Sequence, residues 1–158
     1  MKSYKLYFLI AMAVALPSQA AELATFDEVR AQYHSYKDPT RVSYLYNRCA
    51  ALQLNVSALL SRKGQAKGAK DFEALAQHYM VLSEANEREI DKKRGLKSKD
   101  LTQTVHRNVG VVSEVYSKRL KDNFGKRGDY IVGDTQLEAE LSECVAVEVF
   151  VKKAISGH

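Results

Sequence analysis

Cys49 and Cys144 are the only two cysteines in the 158-residue chain, and each lies in an apolar run, NRCAALQLNVSALL for the first and LSECVAVEVF for the second. What such a pair does depends on the compartment in which the chain folds, and the opening residues bear on that. In MKSYKLYFLIAMAVALPSQA, Lys2 and Lys5 precede an apolar run from Leu6 to Leu16, followed by Ser18 and Ala20, the small residues a signal peptidase requires. The run is shorter than the ~20 apolar residues of a bilayer-spanning helix, and no later segment is long and apolar enough to span. Residues 1–20 therefore read as a secretory signal peptide cleaved after Ala20, and residues 21–158 as a single exported domain, periplasmic or secreted. In an oxidising compartment an even cysteine count favours a bridge, and only one intramolecular pairing exists. Closing a loop of about 95 residues in this way stabilises a fold by roughly 2–4 kcal/mol. There is no CxxC, and an apolar setting raises a thiol's pKa, so the pair is expected to be structural rather than redox-active or metal-binding.

The rest of the chain has helical spacing broken by short polar stretches. Thr25 and Glu28 form a capping-box pattern ahead of Phe26, Val29, Tyr33 and Tyr36, a short helix that stops before KDP. Asp38 then caps a second helix with Pro39 in its first turn, and Val42, Leu45, Cys49, Leu52, Val56 and Leu59 alternate by three and four along it. Gly64 and Gly68 are expected to end it, and Asp71 to open a third helix striped by Phe72, Leu75, Tyr79, Leu82, Asn86 and Ile90. After KKRG, Ser98 is expected to cap a fourth helix with Leu101, Val105, Asn108, Val112, Tyr116 and Leu120, stopping near NFG. Asp134 or Thr135 opens the last, carrying Leu137, Leu141 and Cys144. Its VAVEVFV stretch, residues 145–151, is β-branched enough to read as a strand, but a lone strand needs a partner, and helix is preferred. The expected fold is all-α, an antiparallel four-helix bundle with a short extra N-terminal helix, the first and last long helices stapled by Cys49–Cys144.

Little in the chain points to catalysis. Serines lack a GxSxG context, glycines form no phosphate loop, and neither His78 nor His106 has the Glu three residues earlier that a di-iron bundle uses. No enzyme activity, cofactor or metal is expected. Nucleic acid is an unpromising partner, because the protein is exported and its net charge of +5 drops by the two units of Lys2 and Lys5 on processing.

Three features invite a binding role. Tyr33, Tyr36, Tyr44 and Tyr46 crowd one stretch, and Tyr44 falls off the seam, where tyrosine offers rigid area with a polar tip. Basic residues gather at the helix ends, and an up-down bundle brings Arg62, Lys63, Lys67 and Lys70 to the end that carries Lys118, Arg119, Lys121, Lys126 and Arg127. Asn86 and Asn108 take seam positions where apolar residues are expected, which suggests a facing polar pair that fixes register or lines a small pocket. Glu148, one turn after Cys144, needs a partner if buried, and Arg41, Arg48 and Tyr46 are the candidates. The reading is an exported, periplasmic, non-catalytic helical binding protein of the inhibitor, adaptor or immunity kind. Its partner would be another envelope protein or an anionic envelope component. The alternative is a bundle that carries a ligand or metal between its helices.

Overall fold

The described residues form five helices: α1 (Phe26–Tyr36), α2 (Thr40–Arg62), α3 (Ala66–Lys93), α4 (Leu101–Arg127) and α5 (Thr135–Ser156). The computed structural model describes the backbone of residues 23–36, 38–97 and 100–156, with side chains except those of Tyr33, Ser35, Tyr36 and everything from residue 147 onward. Four long helices and a short leading one form the expected all-α bundle, and no strand occurs among the described residues. The VAVEVFV stretch is helical, since α5 runs through it to Ser156. A helix satisfies its own backbone groups, whereas a strand here would need a neighbour to pair with.

Most helix ends follow their sequence signals, with three shifts. The Thr25–Glu28 box forms: the Glu28 N–H donates to Thr25 Oγ1 at 3.2 Å and the Thr25 N–H to Glu28 Oε2 at 2.6 Å. Asp38 accepts from the Thr40 N–H at 3.0 Å, as expected of a cap. The first shift is in the α2–α3 connection, which is shorter than the two glycines suggest. Gly64, with φ +73, makes the left-handed turn alone, and α3 is under way by Ala66 rather than Asp71. Gly68 lies inside α3, where a Cβ would sit 3.3 Å from Leu60 Cδ1, so that glycine serves close packing. Second, α4 is capped by Asp100, which accepts from the Gln103 N–H at 3.0 Å, whereas Ser98 lies outside the described residues. Third, α4 continues past NFG to Arg127, and only residues 128–134 form the loop to α5.

α2 is the axis of the fold and touches every other helix. Its most extensive partner is α3, which runs antiparallel to it. Their seam repeats every seven residues in small side chains: Ser43, Ala50 and Ser57 on α2 against Ser83, Ala76 and Ala69 on α3. The Ser57 hydroxyl donates to the Ala69 carbonyl at 2.8 Å, and the Ser83 hydroxyl lies 3.5 Å from the Ser43 carbonyl. The same register sets Ala50 against Ala76, both fully buried. Small residues every seventh position let two helices approach closely, and hydroxyls bonded to carbonyls remove the penalty of burying them. α4 packs against both α2 and α3 and buries Val105, Val109, Val112, Tyr116 and Leu120. α5 meets α2 over a short stretch around the Cys49–Cys144 disulfide, whose Cα atoms are 5.5 Å apart.

Candidate functional site

Beside the disulfide lies a buried polar cluster, and at the far end of α4 a charged cleft. The first is built on Arg48, which is fully buried. Its Nε donates to the Tyr116 hydroxyl at 3.1 Å, its Nη2 to Glu140 Oε1 at 2.5 Å, and its Nη1 to the Ala24 carbonyl. The Tyr116 hydroxyl in turn donates to Glu140 Oε2, and Gln136 Nε2 reaches Glu140 Oε1 at 2.8 Å and the Leu23 carbonyl at 3.1 Å. The Phe26 ring stacks against the guanidinium at 4.7 Å, with Tyr44 at 5.7 Å. Burial disfavours the charge on Arg48, but Tyr116 and Glu140 more than offset it and hold its pKa above the ordinary value. Burial, together with the neighbouring Glu140, drives the Tyr116 hydroxyl far up and keeps it protonated. Each nitrogen of this arginine has a hydrogen-bond partner, and the cluster is a latch that ties the segment before α1 to α2, α4 and α5.

The sequence asked for a carboxylate partner of this kind but named Glu148. The side chain of Glu148 lies outside the described residues. The partner is Glu140, one turn before Cys144 instead of one turn after. The expectation assumed α2 and α5 run side by side, which sets residues before Cys49 opposite residues after Cys144. They meet instead over a short stretch, and the turn of α5 that precedes the disulfide covers Arg48.

The asparagine pair does not form. Asn86 Nδ2 donates to Ser43 Oγ at 2.7 Å and to the Pro39 carbonyl at 3.1 Å, tying α3 to the start of α2. Asn108 is exposed, because α4 buries Val109 in its place. Positions 105, 109, 112 and 116 keep the four-three alternation while leaving the amide in water, where it costs nothing to solvate. Tyr44 is half-buried against the latch, not a free contact residue. It also sits about 27 Å along α2 from Arg62, at 1.5 Å per residue, so it shares no surface with the basic end.

The basic end itself comes together at the loop between α4 and α5. Lys63 Nζ lies 5.8 Å from the centre of the Tyr130 ring, which stacks on Phe124 at 4.4 Å. Asn123 Nδ2 donates to the Asp129 and Val132 carbonyls at 3.0 and 3.2 Å. Asp129 accepts from the Ile131 and Val132 N–H groups, both at 2.8 Å, and those bonds hold its carboxyl below the usual range. Next to this loop is a cleft of about 410 Å³ lined by Val115, Lys118, Arg119, Asp122, Asn123, Lys126 and Arg127 from α4, by Gly133, Asp134 and Thr135, and by Leu23. Arg62, Lys67, Lys70 and Lys121 are exposed but do not line it.

Within the cleft two kinds of charge are distinct. Arg119 is spent on structure: its Nε and Nη2 grip both Asp134 oxygens at 2.7 Å, and its Nη1 donates to Gln136 Oε1 at 2.6 Å. Burial pushes the Asp134 carboxyl up, but the Arg119 bonds and the Leu137 N–H outweigh it and hold the pKa below 3.8. Arg127 donates one Nη1 bond to the Gly133 carbonyl. Lys118, Lys126 and Asp122 are exposed and make no ion pair among the described residues. Asp122 was missed in the sequence because it carries the wrong sign for a basic patch. Its position four residues from both Lys118 and Lys126 was the available signal.

No group of three or more His, Cys, Asp or Glu among the described residues is placed to hold a metal ion, and no helix among them is long and apolar enough to cross a membrane. The fold and site define a disulfide-stapled helical bundle with a basic cleft at one end. Compared with known protein families, curated proteins and solved structures, the chain matches none.

Proposed function

We propose that the protein is an exported, periplasmic binding module that holds an anionic component of the cell envelope at its basic end, without catalysing a reaction. The observation that carries this reading is the cleft in which Lys118, Lys126 and Arg127 set three positive charges against the single carboxylate of Asp122, beside the saturated Arg119–Asp134 pair. Cations in a concave, partly low-dielectric site act over a longer range than scattered surface charges and concentrate anions there. The disulfide and the signal-like N-terminus support export, and the latch around Arg48 supplies rigid backing on which such a site can be held. The competing idea of a carrier with its site between the helices loses its proposed lining, since Asn86 is bonded to α2 and Asn108 faces solvent.

The test is sedimentation of purified, oxidised protein with an envelope fraction at about 50 mM salt, where surface electrostatics are only weakly screened. Wild type should pellet with the fraction, and Lys118→Glu with Lys126→Glu should stay in the supernatant. Equal pelleting of the two proteins would contradict the proposal.

A further inference from the structure

The unpaired groups of the cleft form a row with a definite charge order. Lys118, Asp122 and Lys126 are each four residues apart on α4, so they project from one face in the sequence plus, minus, plus. The two lysines lie about 12 Å apart along the helix axis, at 1.5 Å per residue, with the carboxylate midway. Arg127 adds a further donor at the Lys126 end and Leu23 and Val115 add apolar wall.

An uninterrupted acidic peptide fits this row poorly, because its central carboxylates would meet Asp122. A ligand that is anionic at both ends and rich in hydroxyls between them fits it well. Each terminal anion meets an ammonium, and Asp122, an acceptor only, takes hydrogen bonds from the hydroxyls. The volume, about 410 Å³, suits a small molecule or the end unit of a polymer better than a folded partner. Building on the binding reading above, we infer that the cleft is a site for a saccharide carrying two anionic groups, phosphate or carboxylate, with Lys118 and Lys126 on the anions and Asp122 on the ring hydroxyls.

Isothermal titration with defined probes tests this: glucose 1,6-bisphosphate, glucose, inorganic phosphate and hexaglutamate, each at low salt. Wild type should bind the sugar bisphosphate at least tenfold more tightly than inorganic phosphate. Lys118→Gln with Lys126→Gln should abolish that preference. Asp122→Ala separates the roles: it should leave phosphate binding equal or stronger, because a repelling charge is gone, while weakening the sugar bisphosphate relative to phosphate by about fivefold or more. Circular dichroism and thiol titration of each variant confirm that fold and disulfide are intact. An Asp122→Ala protein with an unchanged sugar-to-phosphate ratio would overturn the inference. Binding of hexaglutamate with silence toward the sugar bisphosphate would also overturn it, while leaving an anion-binding basic end in place. If every probe is silent yet the envelope fraction still retains wild type and not the double glutamate variant, the saccharide inference fails alone. If that retention is absent too, both fail.

Discussion

The α2–α3 hairpin and the corner around the start of α5, where it meets α2 and the end of α4 approaches through the connecting loop, hold their elements together with opposite materials. The hairpin uses Ser, Ala and Gly at close approach, and its serine hydroxyls are bonded across the seam, those of Ser57 and Ser83 to carbonyls and that of Ser43 to the Asn86 amide. The corner uses long charged side chains: Arg48 with Glu140 inside, and Arg119 with Asp134 at the cleft. A seam of small residues gains its stability from contact and has nothing left with which to bind. A corner of paired charges fixes geometry at a desolvation cost, and wherever its pairing is incomplete it offers charge to a ligand. The contrast divides the molecule into a scaffold and a site.

The largest expected effect breaks the corner. Arg48→Met removes the partner of a buried carboxylate and should destabilise the protein by about 3–5 kcal/mol in chemical denaturation, since Glu140 is left buried without its counter-ion, holding only the Tyr116 and Gln136 hydrogen bonds. Arg48→Met with Glu140→Leu should recover most of that loss, because an apolar pair of similar volume avoids the stranded charge. A double variant no better than the single would show that the latch matters for something other than charge pairing. A smaller effect tests the hairpin. Ala76→Leu forces four heavy atoms less one into a seam with no room, and should cost about 1–3 kcal/mol by overpacking. A neutral result would mean that α2 and α3 are not held at close approach.

The smallest effect concerns pH at the cleft. Asp134 is held below its ordinary value of 3.8 by Arg119. A lowered carboxyl pKa contributes stability at neutral pH, and that contribution is lost only as pH falls through the folded-state value, below 3.8. Thermal melts of wild type and Asp134→Asn should therefore differ at pH 7 and converge as the pH drops toward 2. Parallel curves across that range would detach the pair from the fold's acid response.

The hairpin and the corner also differed in how much of them the sequence revealed. The all-α class, the five helices and the Cys49–Cys144 staple followed from spacing, capping residues and the pairing rule. The true seam of α2 with α3 was harder, because Ser43, Ala50, Ser57, Ala69, Ala76 and Ser83 carry no strong apolar signal even though they recur every seven residues. Asn108 was misplaced for a related reason: two stripes, through 108 or through 109, fit helical periodicity equally, and only the cost of burying an amide separates them. At the corner the residue types were legible but the partners were not. Glu140 and Glu148 are each one turn from Cys144, and which of them meets Arg48 depends on how the two helices cross. Of the basic residues at the helix ends, the sequence grouped all alike. Folding separates Arg119, consumed by Asp134, from Lys118 and Lys126, which remain available.

The division between scaffold and site is tested most directly by amide hydrogen exchange on the oxidised protein, alone and with the envelope fraction it is proposed to bind. Added protection should appear in residues 115–136, covering the cleft wall of α4 and the loop to α5, while exchange along the α2–α3 seam stays as it was. Protection centred on α2 and α3, or no change anywhere, would contradict the assignment of the basic corner as the working end of the molecule.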